Sequence, residues 1–314
     1  MSIPLIDLEG LERGGGERAL AAALGAACRE VGFFYLTGHG IADSLRARVF
    51  AAARAFFALP PAAKDAVSIA RSPHNRGYVG LAVEALDPAR GGDRKEAFNI
   101  GLELAGDDPE LVAGVPFRGP NLWPELAGFR DTLLAWFDAC WALGRRLHRA
   151  FALDLGLPPA FFESKLDRPM ATLRLLHYPP ADPSAPGRPG AGEHTDYGNL
   201  TLLATDEVGG LEVRRRDGRW IRAPFVPGAF VCNIGDCLER WTNGVYRSTP
   251  HRVESPQDRD RYSLAFFLDP NPDAVVACLP TCTGPERPPR WPPIRAADHL
   301  RARLEATYGP VARG

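Results

Sequence analysis

Three side chains of metal-binding type fall together in the second half of the chain. His194 and Asp196 sit two residues apart in His194-Thr195-Asp196, and His251 follows 55 positions after Asp196. On an extended segment, residues i and i+2 project to the same side. One imidazole and one carboxylate therefore converge, and a second strand can bring His251 to the same point. Two imidazoles and one carboxylate on one face of an octahedron leave three positions open, a ligand set suited to Fe(II) and to dioxygen. An organic anion can chelate through two of those positions while dioxygen takes the third. His-x-Asp alone says little in a chain with seven His, because a solvated turn produces the same pattern.

Two further elements add weight. Ten residues beyond His251 lies Arg261-Tyr262-Ser263, which places a guanidinium and a hydroxyl on one strand face. A guanidinium can clamp a carboxylate through two parallel charge-assisted hydrogen bonds, and the hydroxyl adds a third donor. Arg174-Leu175-Leu176-His177-Tyr178-Pro179-Pro180 puts Arg174, Leu176 and Tyr178 on one face and sends His177 to the other. Arg174 is expected to serve as a structural cation. Phe266 and Phe267 follow Ser263 on opposite faces, with Phe267 in phase with Ser263 and so beside the substrate. Tyr197, Arg76, Tyr78 and Glu84 are weaker candidates for the pocket wall, chosen because loops carry specificity on a rigid scaffold.

The elements that must position these residues differ between the two halves. Before residue 170 the pattern is largely helical: Glu17 to Glu30, Ile41 to Leu59, and about Pro124 to Leu155 carry helical composition or spacing. Short strands are expected at Ile3 to Leu8 and at Val31 to Leu36, and the stretch from Ser72 to Gly101 reads as a long loop region with short strands. After residue 170, seven short segments separated by turns predict strands: 172–178, 200–204, 211–213, 220–222, 230–234, 251–253 and 261–268. Strands at this spacing suggest an all-β sandwich or barrel. A last helix is expected from Ala296 to Tyr308.

In this order and spacing, the three elements resemble the iron(II)/2-oxoglutarate-dependent dioxygenases, in particular their isopenicillin-N-synthase-like branch. The resemblance extends over nearly the whole chain. It includes Ile3-Pro4-Leu5-Ile6-Asp7-Leu8, Gly32-Phe33-Phe34-Tyr35-Leu36-Thr37-Gly38-His39-Gly40 and Lys95-Glu96-Ala97-Phe98-Asn99-Ile100-Gly101. It continues through His194 to Leu203, Asn233-Ile234-Gly235-Asp236 and Ser248-Thr249-Pro250-His251-Arg252-Val253. The resemblance implies that His194, Asp196 and His251 are the iron ligands. Arg261 and Ser263 would hold the distal carboxylate of 2-oxoglutarate, with Tyr178 assisting. The implied fold is a double-stranded β-helix, or jelly roll, wrapped by N-terminal and C-terminal helices. Residues 1–165 would form a helical support region, 166–275 the oxygenase core, and 276–314 a tail and helix. Where many members carry Asn, this chain has Leu176, with Arg174 on the same face.

The implied activity is oxidation of a small-molecule substrate with O2, by hydroxylation, desaturation or ring closure, with release of succinate and CO2. The rival within this architecture is an iron oxidase or cyclase that uses no 2-oxoglutarate. The rival from another class is a small-molecule binding protein with a vestigial metal site. A zinc hydrolase fits less well, because zinc favours tetrahedral sites with a poised base.

Composition narrows the remaining classes. The 314 residues carry 37 basic and 38 acidic side chains, a formal charge of −1, which argues against a nucleic-acid partner. No apolar run is long enough to span a bilayer, so no membrane partner is expected. The N-terminus lacks the pattern of a signal peptide. Six Cys do not form a dense disulfide framework and read as buried thiols of a cytoplasmic protein.

Overall fold

The structure is a computed structural model that describes residues 2–87, 91–181 and 189–308. Its core is a jelly roll built from two sheets, with helices packed outside the larger one. The larger sheet takes strands from both halves of the chain. The first half supplies β1 (Leu5–Asp7), β2 (Phe33–Thr37), β3 (Gly77–Val79) and β4 (Glu96–Gly101). The second half supplies β5 (Thr172–Tyr178), β7 (Leu200–Thr205), β10 (Phe230–Ile234) and β12 (Arg261–Leu268). Their spatial order is β1-β2-β10-β7-β12-β5-β4-β3. The smaller sheet has the order β6-β11-β8-β9, from β6 (Ala191–His194), β8 (Leu211–Arg214), β9 (Trp220–Arg222) and β11 (His251–Val253).

Alternation along the larger sheet separates two environments. One cross-strand row reads Asn99, Arg174, Ala265, Leu203, Val231 and Tyr35. A neighbouring row reads Gly101, Thr172, Phe267, Thr201, Asn233 and Phe33. These rows face the smaller sheet, across a chamber. Residues of opposite parity, such as Phe98, Leu175, Leu264, Ala204 and Cys232, enter the main hydrophobic core beneath the helices. There α1 (Leu8–Glu30), α2 (Asp43–Phe57) and α5 (Phe129–Asp154) pack on one another and on the sheet, with the short helices α3 (Pro61–Asp65) and α4 (Pro109–Val112) in the chain between α2 and α5. Fully burying one Leu or Phe side chain stabilises by about 1.5–3 kcal/mol, so this outer face is where the sheet is anchored.

Several boundaries differ from the sequence pattern for identifiable reasons. Helical residues begin at Leu8, not Glu17, and the Gly14-Gly15-Gly16 stretch breaks α1 at Gly16, where φ is +70°. The helix expected from Pro124 starts only at Phe129, because Gly128 adopts a left-handed φ of +69° that resets the chain direction. Strand β6 and the short helix α6 (Asp236–Trp241) were not expected: β6 is only four residues long, and α6 follows a Gly in a polar segment. A small ribbon pairs β13 (Val275–Val276) with β14 (Ile294–Arg295), and α7 (Ala296–Tyr308) follows as expected. Residues 309–314 of the C-terminal region lie outside the described residues. Among the described residues, no helix is long and apolar enough to cross a membrane. All six cysteines are free, and all but the half-buried Cys278 are buried.

Candidate active site

The two histidines meet because their strands pair. In the smaller sheet, His251 on β11 lies directly opposite His194 on β6, and their ring centroids are 4.3 Å apart. Asp196 follows in the turn that leads to β7 of the larger sheet, so the three ligands bridge both sheets. Nε2 of His194 lies 3.8 Å from Asp196 Oδ1, and Nε2 of His251 lies 3.6 Å from it. Neighbouring ligands about 2.1 Å from a shared ion sit roughly 3 Å apart, so a small contraction closes the set on a metal. Among the described residues this is the one group of three or more His, Cys, Asp or Glu able to hold a metal ion.

Surrounding hydrogen bonds present the right atoms. Nδ1–H of His194 donates to the Gly192 carbonyl at 2.8 Å, and Nδ1–H of His251 donates to the Thr249 carbonyl at 3.1 Å. Each bond selects the tautomer whose Nε2 lone pair faces the metal position. Asp196 Oδ2 accepts from Thr201 Oγ1 at 2.5 Å and from Asn233 Nδ2 at 2.7 Å, which leaves Oδ1 for an ion. Burial pushes the Asp196 carboxyl pKa up, but the two imidazoles and these hydrogen bonds outweigh it and hold the group below its ordinary range. Burial, with the neighbouring His251, pushes His194 down to about 3, so its ring is neutral and free to ligate. The edge of Phe33 packs on His251 at 5.3 Å between ring centroids. The donor set, one carboxylate oxygen and two neutral imidazoles, fits Fe(II).

Arg261 opens β12 opposite Tyr178 on β5, and Ser263 lies opposite Leu176. The Arg261 side chain is buried. Its Nε donates to the Gly209 carbonyl at 2.5 Å, one terminal nitrogen donates to Ser263 Oγ at 3.3 Å, and the guanidinium carbon lies 4.6 Å from the Tyr178 ring centroid. The structure thus brings together all six residues singled out from sequence, with the metal group and the guanidinium lining one chamber. That chamber encloses about 1130 Å³ of empty space, its open mouth included.

The weaker candidates divide. Glu84, Tyr197 and Phe267 line the chamber. Tyr78 does not: its hydroxyl donates to Glu96 on the outer face at 2.6 Å. Arg76 is buried against Gly101, and a terminal nitrogen donates to the Phe117 carbonyl at 3.3 Å. Arg174 lines the chamber as a structural cation, ion-paired with Glu84. His177 points away, with Nδ1 2.7 Å from Glu96 and Nε2 2.9 Å from Asp260.

Sequence reasoning did not single out Thr201 and Asn233 as partners of Asp196, because their contacts come from strand register and not from local spacing. It also missed Asn99 and Asp269, both buried and both lining the chamber. Asp269 has a legible signal: it continues the two-residue phase of Arg261, Ser263, Ala265 and Phe267 one step beyond the strand end. Burial and the nearby Asp196 raise the pKa of Asp269 to about 7.

A jelly roll carrying this ligand set and a buried guanidinium defines a non-haem iron oxygenase, and comparison with known proteins identifies the family. Residues 3–126 match the model of the N-terminal region of non-haem dioxygenases in morphine synthesis, and residues 169–270 match that of the 2OG-Fe(II) oxygenase superfamily. A 2-oxoglutarate-Fe(II) type oxidoreductase of Emericella nidulans is 37% identical over 303 residues, covering 94% of this chain and 87% of the relative. A Neurospora crassa enzyme solved with alpha-KG (2-oxoglutarate) and thymine superposes with a TM-score of 0.84 at 35% identity, covering 97% and 96% of the two chains. JOX2, solved with 2OG, Fe and JA, gives a TM-score of 0.81 at 30% identity, covering 99% and 86%.

The chain belongs to the 2OG-Fe(II) oxygenase family. It is a non-haem Fe(II), 2-oxoglutarate-dependent dioxygenase that acts on a small molecule with O2 as co-substrate.

Proposed function

We propose that His194, Asp196 and His251 ligate the iron, and that Arg261 and Ser263, with Tyr178 against the guanidinium, hold the distal carboxylate of 2-oxoglutarate. When bound, iron and 2-oxoglutarate supply the oxidation of a substrate C–H bond by O2, with release of succinate and CO2. The chain's own residues position and shield. Arg261, fixed by Gly209 and Ser263, offers a rigid fork to a carboxylate. Thr201 and Asn233 keep Asp196 ionised and turned so that one oxygen ligates. Phe33 closes the back of the His251 ring against water. Leu176 places an apolar side chain on the chamber wall opposite Ser263. Arg174 is ion-paired with Glu84, so the carboxylate clamp rests on Arg261.

Substrate would enter over Phe267 and Tyr197, and hydroxylation is the outcome this reading favours. The division into support region 1–165, core 166–275 and tail 276–314 belongs to the same reading, as does a cytoplasmic location, which six unpaired thiols suit. The observation that carries the assignment is the convergence of the two Nε2 atoms on Asp196 Oδ1, in the chamber that also holds Arg261. The test is anaerobic titration of the Fe(II)-loaded protein with 2-oxoglutarate, followed by its visible charge-transfer band. A saturable band in the native chain, and one needing far more co-substrate in Arg261→Leu, is the expected result. An equal midpoint in Arg261→Leu would show that the clamp lies elsewhere.

A further inference from the structure

The substrate end of the chamber carries hydrogen-bond acceptors that the protein itself leaves unmet. Asp269 is 6% exposed and lines the chamber two residues beyond Phe267. Its carboxyl lies directly on Gly198, where a Cβ would come within 2.4 Å of Oδ1. Only a residue without a side chain at 198 admits the carboxyl to this position beside the metal-bearing turn. Among the described residues none donates a hydrogen bond to the Asp269 carboxyl, and none forms an ion pair with it. Oδ1 of Asn99, fully buried on the same chamber wall, also has no donor. A buried acceptor without a partner costs about 1–3 kcal/mol, which applies to Asn99 Oδ1; with the Asp269 carboxyl on the chamber lining, the chamber suits a ligand that brings donors.

The cations of the chamber are already matched. Lys95 Nζ lies 2.5 Å from Asp93 and 3.6 Å from Glu84, and Arg174 pairs with Glu84. Arg261 serves the co-substrate. A carboxylate substrate therefore finds no unmatched cation here among the described residues, whereas an ammonium or N–H group finds a carboxylate in a chamber that Phe267 also lines. An ammonium beside an aromatic face gains further electrostatic attraction.

We propose that Asp269 is the substrate-recognition residue of this enzyme, and that it selects a nitrogenous small molecule, an amine or N–H heterocycle, over a carboxylic acid. The inference rests on the reading of this chamber as the substrate site. It is tested by anaerobic calorimetric titration of the Fe(II)- and 2-oxoglutarate-loaded enzyme with three fragments of one size: benzylamine, benzyl alcohol and benzoate.

Benzylamine should bind at least about tenfold more tightly than benzoate, the equivalent of 1.4 kcal/mol. Asp269→Asn, nearly isosteric, should remove that preference while leaving the charge-transfer band and its 2-oxoglutarate midpoint unchanged. Equal or tighter binding of benzoate overturns the proposal, and so does a lack of benzylamine binding. An unchanged preference in Asp269→Asn also overturns it, and Asp269→Ser is the second variant should Asn fail to fold. If the band is absent from the native enzyme, the reading of the metal centre has failed instead, which separates the two outcomes.

Discussion

The two faces of β12 share one backbone and differ in almost everything else. Inward, Arg261, Ser263, Ala265 and Phe267 face the chamber, and the two polar groups among them are hydrogen-bonded to each other. Outward, Leu264, Phe266 and Leu268 are completely buried in the core beneath the helices. The fold separates stability from chemistry by strand parity. A one-residue shift in register would exchange the two sets, so the outer face also fixes the geometry of the inner one.

Substitutions on either face test that separation. The largest effect is expected from Asp196→Ala, on the inner side. Losing a residue that merely orients a ligand costs about 10–100-fold, so losing the ligand should lower turnover by roughly 10³-fold or more and abolish iron retention. Unfolding by denaturant should change little, and iron analysis beside succinate release checks both points. Phe266→Ala is the outer counterpart: an expected loss of about 3–5 kcal/mol of stability, read from denaturant midpoints. Whatever protein remains folded should keep its 2-oxoglutarate midpoint.

Arg261→Leu should raise the KM for 2-oxoglutarate by about 30-fold or more, the equivalent of at least 2 kcal/mol for a lost buried charge partner. Thermal stability of the apo form should follow the native chain.

The smallest effect concerns the polar part of the outer face. Burial would raise the Glu96 pKa, but hydrogen bonds from His177, Lys64 and Tyr78 overcome this and lower it from 4.5 to about 2. Because the folded value is depressed, the stabilisation is complete above about 4.5 and disappears as pH falls toward 2. Glu96→Gln should cost about 2 kcal/mol at pH 7, and the gap to the native chain should narrow as a denaturation series is carried to acid pH.

Much of this contrast is legible in the sequence. All seven strands expected after residue 170 match their bounds or run one residue longer at one end, and five of them, 172–178, 220–222, 230–234, 251–253 and 261–268, match in full. Two-residue alternation is a local property and survives folding. Five of the six residues expected at the site sit in local patterns, His194 with Asp196, Arg261 with Ser263, and Tyr178 in its strand, whereas His251 meets His194 only through strand pairing. Thr201, Asn233 and Asn99 were not, because their roles come from which strands pair and in what register. Glycine conformation was the other source of error: Gly16 and Gly128 set helix boundaries that composition alone places elsewhere.

The placement of sulfur has a consequence for an enzyme that activates oxygen. Cys28, Cys140, Cys232, Cys237 and Cys282 all belong to the core on the helical side of the larger sheet, as does Met170, and Cys278 packs against that core. No cysteine or methionine is among the described residues that line the chamber. Burial holds the Cys28, Cys140, Cys232 and Cys237 thiols well above their ordinary pKa, which suppresses the reactive thiolate. Sulfur is thus kept off the chamber lining, and these four thiols are held in the protonated form, which is the form slowest to be oxidised.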